Sequence, residues 1–151
     1  IFATDISYAA LIVARQNAAM HGVASQIHFL QGDLFEAIRK VGAKFHLISS
    51  NPPYIRRGEI AELAPTVSRW EPHGALDGGP DGLDYYRRLA AVAMEYLLPN
   101  GAVIVEIGAD TGVSVRALFA DAAACVDATI DQDYSGQDRI VIARHRASLE
   151  N

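Results

Sequence analysis

The segment Ser50-Asn51-Pro52-Pro53-Tyr54 carries the residue types best suited to chemistry. Its two prolines hold φ near about -65° and leave their carbonyl oxygens without local donors to compete for. Asn51 adds a side-chain carbonyl, so two acceptors can converge on one NH2 group. Tyr54 offers a flat face against which a planar amide or a base can lie. The same residues also suit a proline-stiffened turn with a packed tyrosine.

The chemistry that this equipment favours is methyl transfer to a planar nitrogen. An amide or exocyclic amine nitrogen is a poor nucleophile because its lone pair is delocalised. Carbonyl acceptors that hold both of its hydrogens favour a pyramidal nitrogen whose lone pair can point at an electrophilic methyl group. The same acceptors stabilise the positive charge that develops on the nitrogen.

Polar residues end each of the first three predicted strands, namely Asp5, Asp33 and Asn51. In an α/β fold, ligands bind at the carboxyl ends of the strands. A carboxylate at Asp5 can accept hydrogen bonds from the two hydroxyls of a ribose, and Asp33 can accept one from the exocyclic amine of an adenine. Asp at a strand end is also a common cap or turn residue. Together the three residues predict a nucleoside-type cofactor.

Short β-type runs alternate with helical ones along the whole chain, which predicts an α/β domain with a mainly parallel sheet and helices on both faces. Ser7 and Gly22 are the expected start and stop signals of the first helix. The stretch 54–83 has weak periodicity and is expected to be a long functional loop. The predicted strands are 1–4, 27–30, 45–49, 102–107 and a closing pair at 126–130 and 139–143; the other predicted helices are 34–39, one carrying Leu89, Val92, Ala93 and Tyr96 that ends at 99–101, and one around Val115, Leu118 and Phe119.

Further blocks give the chain a family resemblance: Glu71-Pro72, Ala75-Leu76-Asp77-Gly78-Gly79, Asp81-Gly82-Leu83, Tyr86-Arg87, Glu106-Ile107-Gly108 and Gly136-Gln137-Asp138-Arg139. With Asn51-Pro52-Pro53-Tyr54, they resemble the HemK family of release-factor glutamine N5-methyltransferases over nearly the whole chain. The resemblance implies a Rossmann-like class I methyltransferase fold and S-adenosyl-L-methionine as methyl donor. It implies as substrate the glutamine of a Gly-Gly-Gln segment in peptide chain release factors.

The resemblance also assigns roles to individual residues. It implies that Asp5 binds the ribose, that Asp33 and Leu34 lie near the adenine, and that Asn51 borders the cofactor as well as the substrate. Asn51 and the Pro52 carbonyl would hold the glutamine amide, with Tyr54 packing on it as the third catalytic residue and Pro53 completing the substrate-binding motif. Leu34 departs from the aromatic residue that is sometimes found at its position.

Three parts of the family pattern have no counterpart here: the helical N-terminal substrate domain, the first strand and the Gly-rich cofactor loop. Residues 1–151 are therefore expected to be the C-terminal part of a methyltransferase catalytic domain that by itself binds S-adenosylmethionine weakly or not at all. The missing strand would lie between those ending at Asp5 and Asn51, and unpaired edges there would favour self-association.

The loop 106–112 is interpreted as a structural strand-to-helix turn, because Asp110 would repel an anionic cofactor group.

The amino-acid composition helps to choose between hypotheses about the function of the chain. Thirteen Lys and Arg against eighteen Asp and Glu give a net charge of -5, which disfavours a nucleic-acid partner. This charge weakens a second hypothesis, an adenine N6-methyltransferase acting on DNA or RNA, to which the same motif is suited. A third is a catalytically incomplete fragment that serves as an interaction module. One cysteine suits a cytoplasmic protein, and no apolar run is long enough for a membrane span.

The remaining reactive residues receive structural interpretations. The five histidines show no metal-ligand spacing, so no metal site is expected. Cys125 is expected to be a core or edge residue rather than a nucleophile. Trp70, beside Glu71-Pro72, either packs the substrate loop or simply anchors it. Glu106 either faces the cofactor pocket or caps the following helix, and the cap is preferred.

Overall fold

The computed structural model describes residues 1–147. Within it the chain forms two compact units, residues 1–43 and the part from residue 44 onward. The strands accordingly form two sheets, one of two strands and one of four.

The first unit is built around a parallel strand pair, in which Phe2 to Asp5 align with His28 to Gln31. Ser7 begins the first helix as predicted, because its Oγ accepts a hydrogen bond from the Ala10 N–H at 3.2 Å. The helix ends just before Gly22, which adopts a φ of 69°. The elements are β1 Phe2–Asp5, α1 Tyr8–Met20, a 3-10 turn Ala24–Gln26, β2 His28–Gln31 and α2 Glu36–Arg39.

The second unit contains a four-stranded sheet in the order β3-β4-β6-β5. β3 runs parallel to β4, whereas β4–β6 and β6–β5 are antiparallel, so the predicted closing pair of strands is confirmed. The elements are β3 Phe45–Ser50, a 3-10 turn Arg57–Glu62, α3 Pro65–Ser68, α4 His73–Leu76, α5 Asp84–Val92, a 3-10 turn Ala93–Tyr96, β4 Leu97–Glu106, α6 Gly112–Ala120, β5 Cys125–Gln132 and β6 Asp138–His145.

The hydrophobic core of this unit lies against one face of β4. Val103 and Val105 are buried, while Ala102, Ile104 and Glu106 between and beyond them are half-buried. The strand therefore alternates, as expected when one face is covered more completely than the other. The other large side chains that are fully buried here are Tyr86, Leu97, Ile107, Val115, Phe119 and Val141.

Two segments differ from the sequence-based expectation. The stretch 54–83 is not a featureless loop, since it contains a 3-10 turn and two short helices, and it buries Ile60 and Leu76. β4 begins at Leu97 rather than at 102, and residues 98–101 form an irregularity within it. Gly101 is required there, because a Cβ would lie 2.8 Å from the Leu98 carbonyl oxygen.

None of the helices in the described part of the chain has the length and apolarity needed to cross a membrane.

Candidate functional site

The segment Asn51-Pro52-Pro53-Tyr54 leaves the sheet at the carboxyl end of β3. Ser50, the last residue of β3, is aligned with Val105 of β4, so Asn51 begins beside the end of β4. Pro52 is buried and Asn51 is exposed. Among residues 1–147, no hydrogen bond engages the Asn51 side chain. Its carbonyl oxygen is thus available to an incoming NH2 group.

The chain that follows the motif is joined to residues 76–79 by a short parallel bridge. The Ile55 N–H donates to the Leu76 carbonyl at 3.0 Å, and the Gly78 N–H donates to the Ile55 carbonyl at 2.9 Å. Ile55 and Asp77 are the aligned pair of this bridge. Backbone pairing therefore holds the exit of the motif in one place.

Two glycines allow the backbone of Tyr54 to be approached closely. A Cβ on Gly78 would lie 2.8 Å from the Tyr54 Cα, and one on Gly82 would lie 2.5 Å from the Tyr54 carbonyl oxygen. Gly82 also has a φ of 78°, a conformation that other residues rarely adopt. Residues 75–79 and Gly82 consequently pack against the backbone of Tyr54, and we call these residues the wall.

Ion pairs hold this wall in shape. Arg57 Nε donates to Asp77 Oδ2 at 2.9 Å, and the Gly79 N–H donates to Asp77 Oδ1 at 2.8 Å. The Arg57 hydrogen bond first, and the Gly79 N–H second, hold the pKa of Asp77 below its usual range. Arg87 binds Asp81 in the same way and lowers the pKa of Asp81 to about 2.

The aromatic ring of Tyr54 lies against the turn that follows β4, where a Cβ on Gly108 would be 3.3 Å from Tyr54 Cδ2. Burial raises the pKa of Tyr54, and the charge of Glu106 and hydrogen bonding to its carboxylate raise it further, against an opposing effect of Arg139. The Tyr54 hydroxyl is therefore protonated at neutral pH.

Glu106 does not act as the preferred helix cap. Helix α6 has Thr111 at its N-cap and receives no side-chain hydrogen bond there. The interpretation of 106–112 as a turn agrees with the structure, since the Thr111 N–H donates to the Gly108 carbonyl at 3.0 Å. Asp110 in this turn accepts from Arg56 Nη2 at 2.6 Å. Glu106 is the one charged residue in the run 102–107, so the sequence does single it out. The preferred interpretation of Glu106 as a helix cap is wrong.

In the first unit, the residues predicted to bind a nucleoside lie at the carboxyl ends of β1 and β2. The Gly32 N–H donates to the Asp5 carbonyl at 3.1 Å, which places Asp33 and Leu34 directly after the strand that neighbours Asp5. Asp5 is exposed, and its Oδ1 accepts from the Ser7 N–H at 2.7 Å. Its Oδ2 makes no hydrogen bond within the described part of the chain, so it can accept one from a ribose hydroxyl. Leu34 adopts a φ of 48°, which is uncommon for a branched residue.

Other candidates lie apart from this chemistry. Trp70 is 82% exposed, so it does not anchor its loop by burial. The thiol of Cys125, at the start of β5, donates to the Asp127 carbonyl at 3.3 Å. Over residues 1–147, no group of three His, Cys, Asp or Glu side chains is placed to hold a metal ion.

An open cavity of about 530 Å³ borders the wall on the side of Asp77 and Gly79. Arg57 and Arg87, two of its lining residues, are ion-paired with Asp77 and Asp81. The cavity therefore presents mixed charge rather than a cationic surface. Sequence reasoning did not indicate it, because its lining comes from three separate segments.

Comparisons with known proteins identify clear relatives, although no family model matches the chain. It is 47% identical over 142 residues to the release factor glutamine methyltransferase of Cereibacter sphaeroides, covering 94% of this chain and 50% of that protein. The corresponding proteins of Moorella thermoacetica and Agrobacterium fabrum are 43% and 44% identical, with 97% and 93% of this chain and 50% and 47% of those proteins covered. The chain thus spans about half the length of the curated relatives it matches.

Solved structures place the fold among the class I methyltransferases, which confirms the predicted fold class. A methyltransferase from Pyrococcus furiosus matches with a TM-score of 0.66 at 15% identity, covering 97% of this chain and 62% of that one. An RNA methyltransferase from Salinibacter ruber, solved in complex with S-adenosyl-L-homocysteine, matches with a TM-score of 0.53 at 18% identity, covering 99% of this chain and 68% of that one.

Proposed function

We propose, from the premise that the chain belongs by sequence to the release factor glutamine methyltransferase family, that it is the C-terminal part of a catalytic domain that methylates N5 of a protein glutamine. The acceptor in this proposal is the glutamine of a Gly-Gly-Gln segment in a peptide chain release factor. The donor is S-adenosylmethionine.

The exposed Asn51 carbonyl at the end of β3 is the observation that carries this proposal. It adjoins the Pro52 carbonyl, since the two residues are consecutive, and Pro52 has no N–H. The wall of Gly78 and Gly82 holds the backbone of the motif from behind. The two acceptors in this proposal are Asn51 Oδ1 and the Pro52 carbonyl, with Tyr54 following them in the same segment.

In the proposed reaction, Asn51 Oδ1 and the Pro52 carbonyl each accept one hydrogen of the glutamine amide. They orient the nitrogen lone pair and stabilise the charge that develops on nitrogen as its new bond to carbon forms. When bound, S-adenosylmethionine would supply an electrophilic methyl group from its sulfonium, and the sulfur would keep the bonding pair. One amide proton is then released to water. The Tyr54 ring packs on the amide plane and stays protonated at its hydroxyl.

The residues of the first unit fit the nucleoside part of the donor. Asp5 retains one carboxylate oxygen for the ribose hydroxyls, after the other has accepted the Ser7 N–H. Asp33 and Leu34 follow the neighbouring strand, where the adenine would be bound.

The proposed partner is a protein in the cytoplasm, and neither a nucleic acid nor a membrane. The net charge of -5 supports a protein acceptor over a polyanion, and the single cysteine suits a reducing compartment.

The decisive experiment measures transfer of a radiolabelled methyl group from S-adenosylmethionine to a release factor containing Gly-Gly-Gln. The enzyme is the polypeptide encoded by the full reading frame that contains this chain. Transfer is expected to the release factor and to be lost when its glutamine is changed to glutamate. Asn51→Ala is expected to abolish transfer, whereas Asn17→Ala, at an exposed position of α1, leaves the rate unchanged. Transfer to a duplex oligonucleotide, or no transfer at all, would overturn the proposal.

A further inference from the structure

We propose that Glu106 is a positioning residue that sets the orientation of Tyr54. The inference rests on the proposed function and extends it by one residue. Glu106 is not among the residues that the sequence pattern placed at the reaction.

Sheet register brings the two residues to the same edge. Ser50 pairs with Val105, so the next residues, Asn51 on one strand and Glu106 on the other, leave the sheet side by side. β4 is paired with β3 as far as Val105 and with β6 as far as Glu106, which is aligned with Ile140. The backbone of Glu106 is therefore held on the β6 side.

Two further contacts immobilise Glu106 and its surroundings. The buried Tyr86 hydroxyl donates to the Glu106 carbonyl at 2.7 Å. The Ile107 N–H, one residue further on, donates to the Arg139 carbonyl at 2.9 Å. A carboxylate on so constrained a backbone is a fixed point against which a neighbouring side chain can be oriented.

Tyr54 is held at its backbone and at one edge of its ring. Gly78 and Gly82 approach its backbone, and Gly108 approaches its ring at Cδ2. Arg56, two residues later, is tied to Asp110 of the same turn at 2.6 Å. The free end of the side chain is the hydroxyl, whose pKa the charge of Glu106 raises. In this proposal Glu106 sets the tilt of the ring from that end.

The charged groups that act on the Tyr54 hydroxyl come from three elements: Glu106 at the end of β4, Arg139 of β6 and Glu71 of the segment before α4. Arg139 is bound to Asp133 through Nε and Nη2, each at 3.2 Å. Glu106 acts by both charge and hydrogen bonding, whereas Glu71 acts by charge alone.

The test is a double-mutant cycle between Glu106→Gln and Tyr54→Phe in the full-reading-frame protein. If Glu106 acts through the Tyr54 hydroxyl, Glu106→Gln lowers kcat roughly tenfold in the unmodified protein but less than about twofold beside Tyr54→Phe. KM for S-adenosylmethionine is expected to change little. Equal losses in both backgrounds, or a loss confined to that KM, would overturn the inference and indicate a direct contact of Glu106 with the donor.

A second readout does not depend on activity. Ultraviolet titration of tyrosinate, with Tyr54→Phe as the difference reference, follows the Tyr54 hydroxyl. Glu106→Gln is expected to shift this titration to lower pH, because a negative neighbour has been removed. Glu95→Gln, which removes the same charge at an exposed position of the turn 93–96, is expected to leave it unmoved. An unmoved titration in Glu106→Gln would refute the contact itself, whereas an inactive parent protein would refute the proposed function.

Discussion

The hydroxyl of Tyr86, a residue with no exposed surface, donates to the backbone carbonyl of Glu106 at 2.7 Å. This bond ties helix α5 to the end of the central strand β4, next to the motif that is proposed to bind the acceptor amide. Burial raises the pKa of Tyr86, with smaller effects from the charges of Tyr54 and Glu106, so the hydroxyl remains a donor throughout the neutral range.

Tyr86→Phe is accordingly expected to lower the free energy of unfolding by about 1 kcal/mol, since the ring still packs but one buried hydrogen bond is lost. Urea denaturation followed by circular dichroism measures the change. Tyr134→Phe is the matched control, because Tyr134 is fully exposed and its hydroxyl makes no hydrogen bond with residues 1–147. Equal effects of the two substitutions would show that the bond to Glu106 contributes nothing.

Gly82→Ala tests the wall behind Tyr54. The substitution has two costs, a φ of 78° that alanine rarely adopts and a Cβ placed 2.5 Å from the Tyr54 carbonyl oxygen. Gly136→Ala isolates the first, because Gly136 also has a φ of 78° but has no atom within 4 Å of the new Cβ.

Gly136→Ala is expected to destabilise the chain by roughly 1–2 kcal/mol through backbone strain alone. Gly82→Ala should cost more and should also reduce methyl transfer, because the motif must shift. Thermal unfolding and initial rates give the two measurements. A Gly82 variant that matched the Gly136 variant in both would mean that the close approach to Tyr54 has no consequence.

The pair Arg87 and Asp81 predicts a contribution to stability that depends on pH. Arg87 first, and the Leu83 N–H further, lower the pKa of Asp81 to about 2, against burial, which raises it. A depressed carboxyl pKa stabilises the fold above the pKa of the unfolded chain, about 4. That contribution is lost as the pH falls through the folded value, so the window is about pH 4 down to about 2.

Arg87→Gln is expected to return the Asp81 titration toward its ordinary range and to flatten the stability profile across that window. Carboxyl-resolved NMR titration reads the first effect, and acid unfolding reads the second. The pKa of Asp133, lowered chiefly by the N–H groups of Gln137 and Ser135, is the internal control and should not move. A persistently low Asp81 titration in the variant would contradict the assignment to Arg87.

The chain spans about half the length of its curated relatives, and this predicts a difference in affinity for S-adenosylmethionine. The isolated 151-residue chain should bind S-adenosylmethionine weakly or not at all, whereas the polypeptide from the full reading frame should bind it tightly. Isothermal titration calorimetry of the two compares them directly. Micromolar affinity in the isolated chain would show that these residues suffice for the donor.

Much of the fold was predictable because the signals involved are local. The Ser7 cap and the Gly22 stop depend on interactions within a few residues, and each was found where the sequence placed it. The apolar strand before Glu106 was also found, although it begins at Leu97 rather than at 102. The stretch 54–83 was misjudged, since its helices have only four residues each and show little periodicity. Its burial depends on partners far along the chain.

By itself, the sequence determined the alternation of strands and helices and the segment Asn51-Pro52-Pro53-Tyr54 with its paired acceptors. Proline geometry and side-chain chemistry are properties of the residues themselves, so they need no knowledge of neighbours. Only the tertiary structure decided that Glu106 lies at the aligned ends of β3 and β4, next to the motif, and does not cap α6. Sheet order and register set that pairing, because β3 and β4 are aligned across about 55 intervening positions and no local pattern encodes which strands become neighbours.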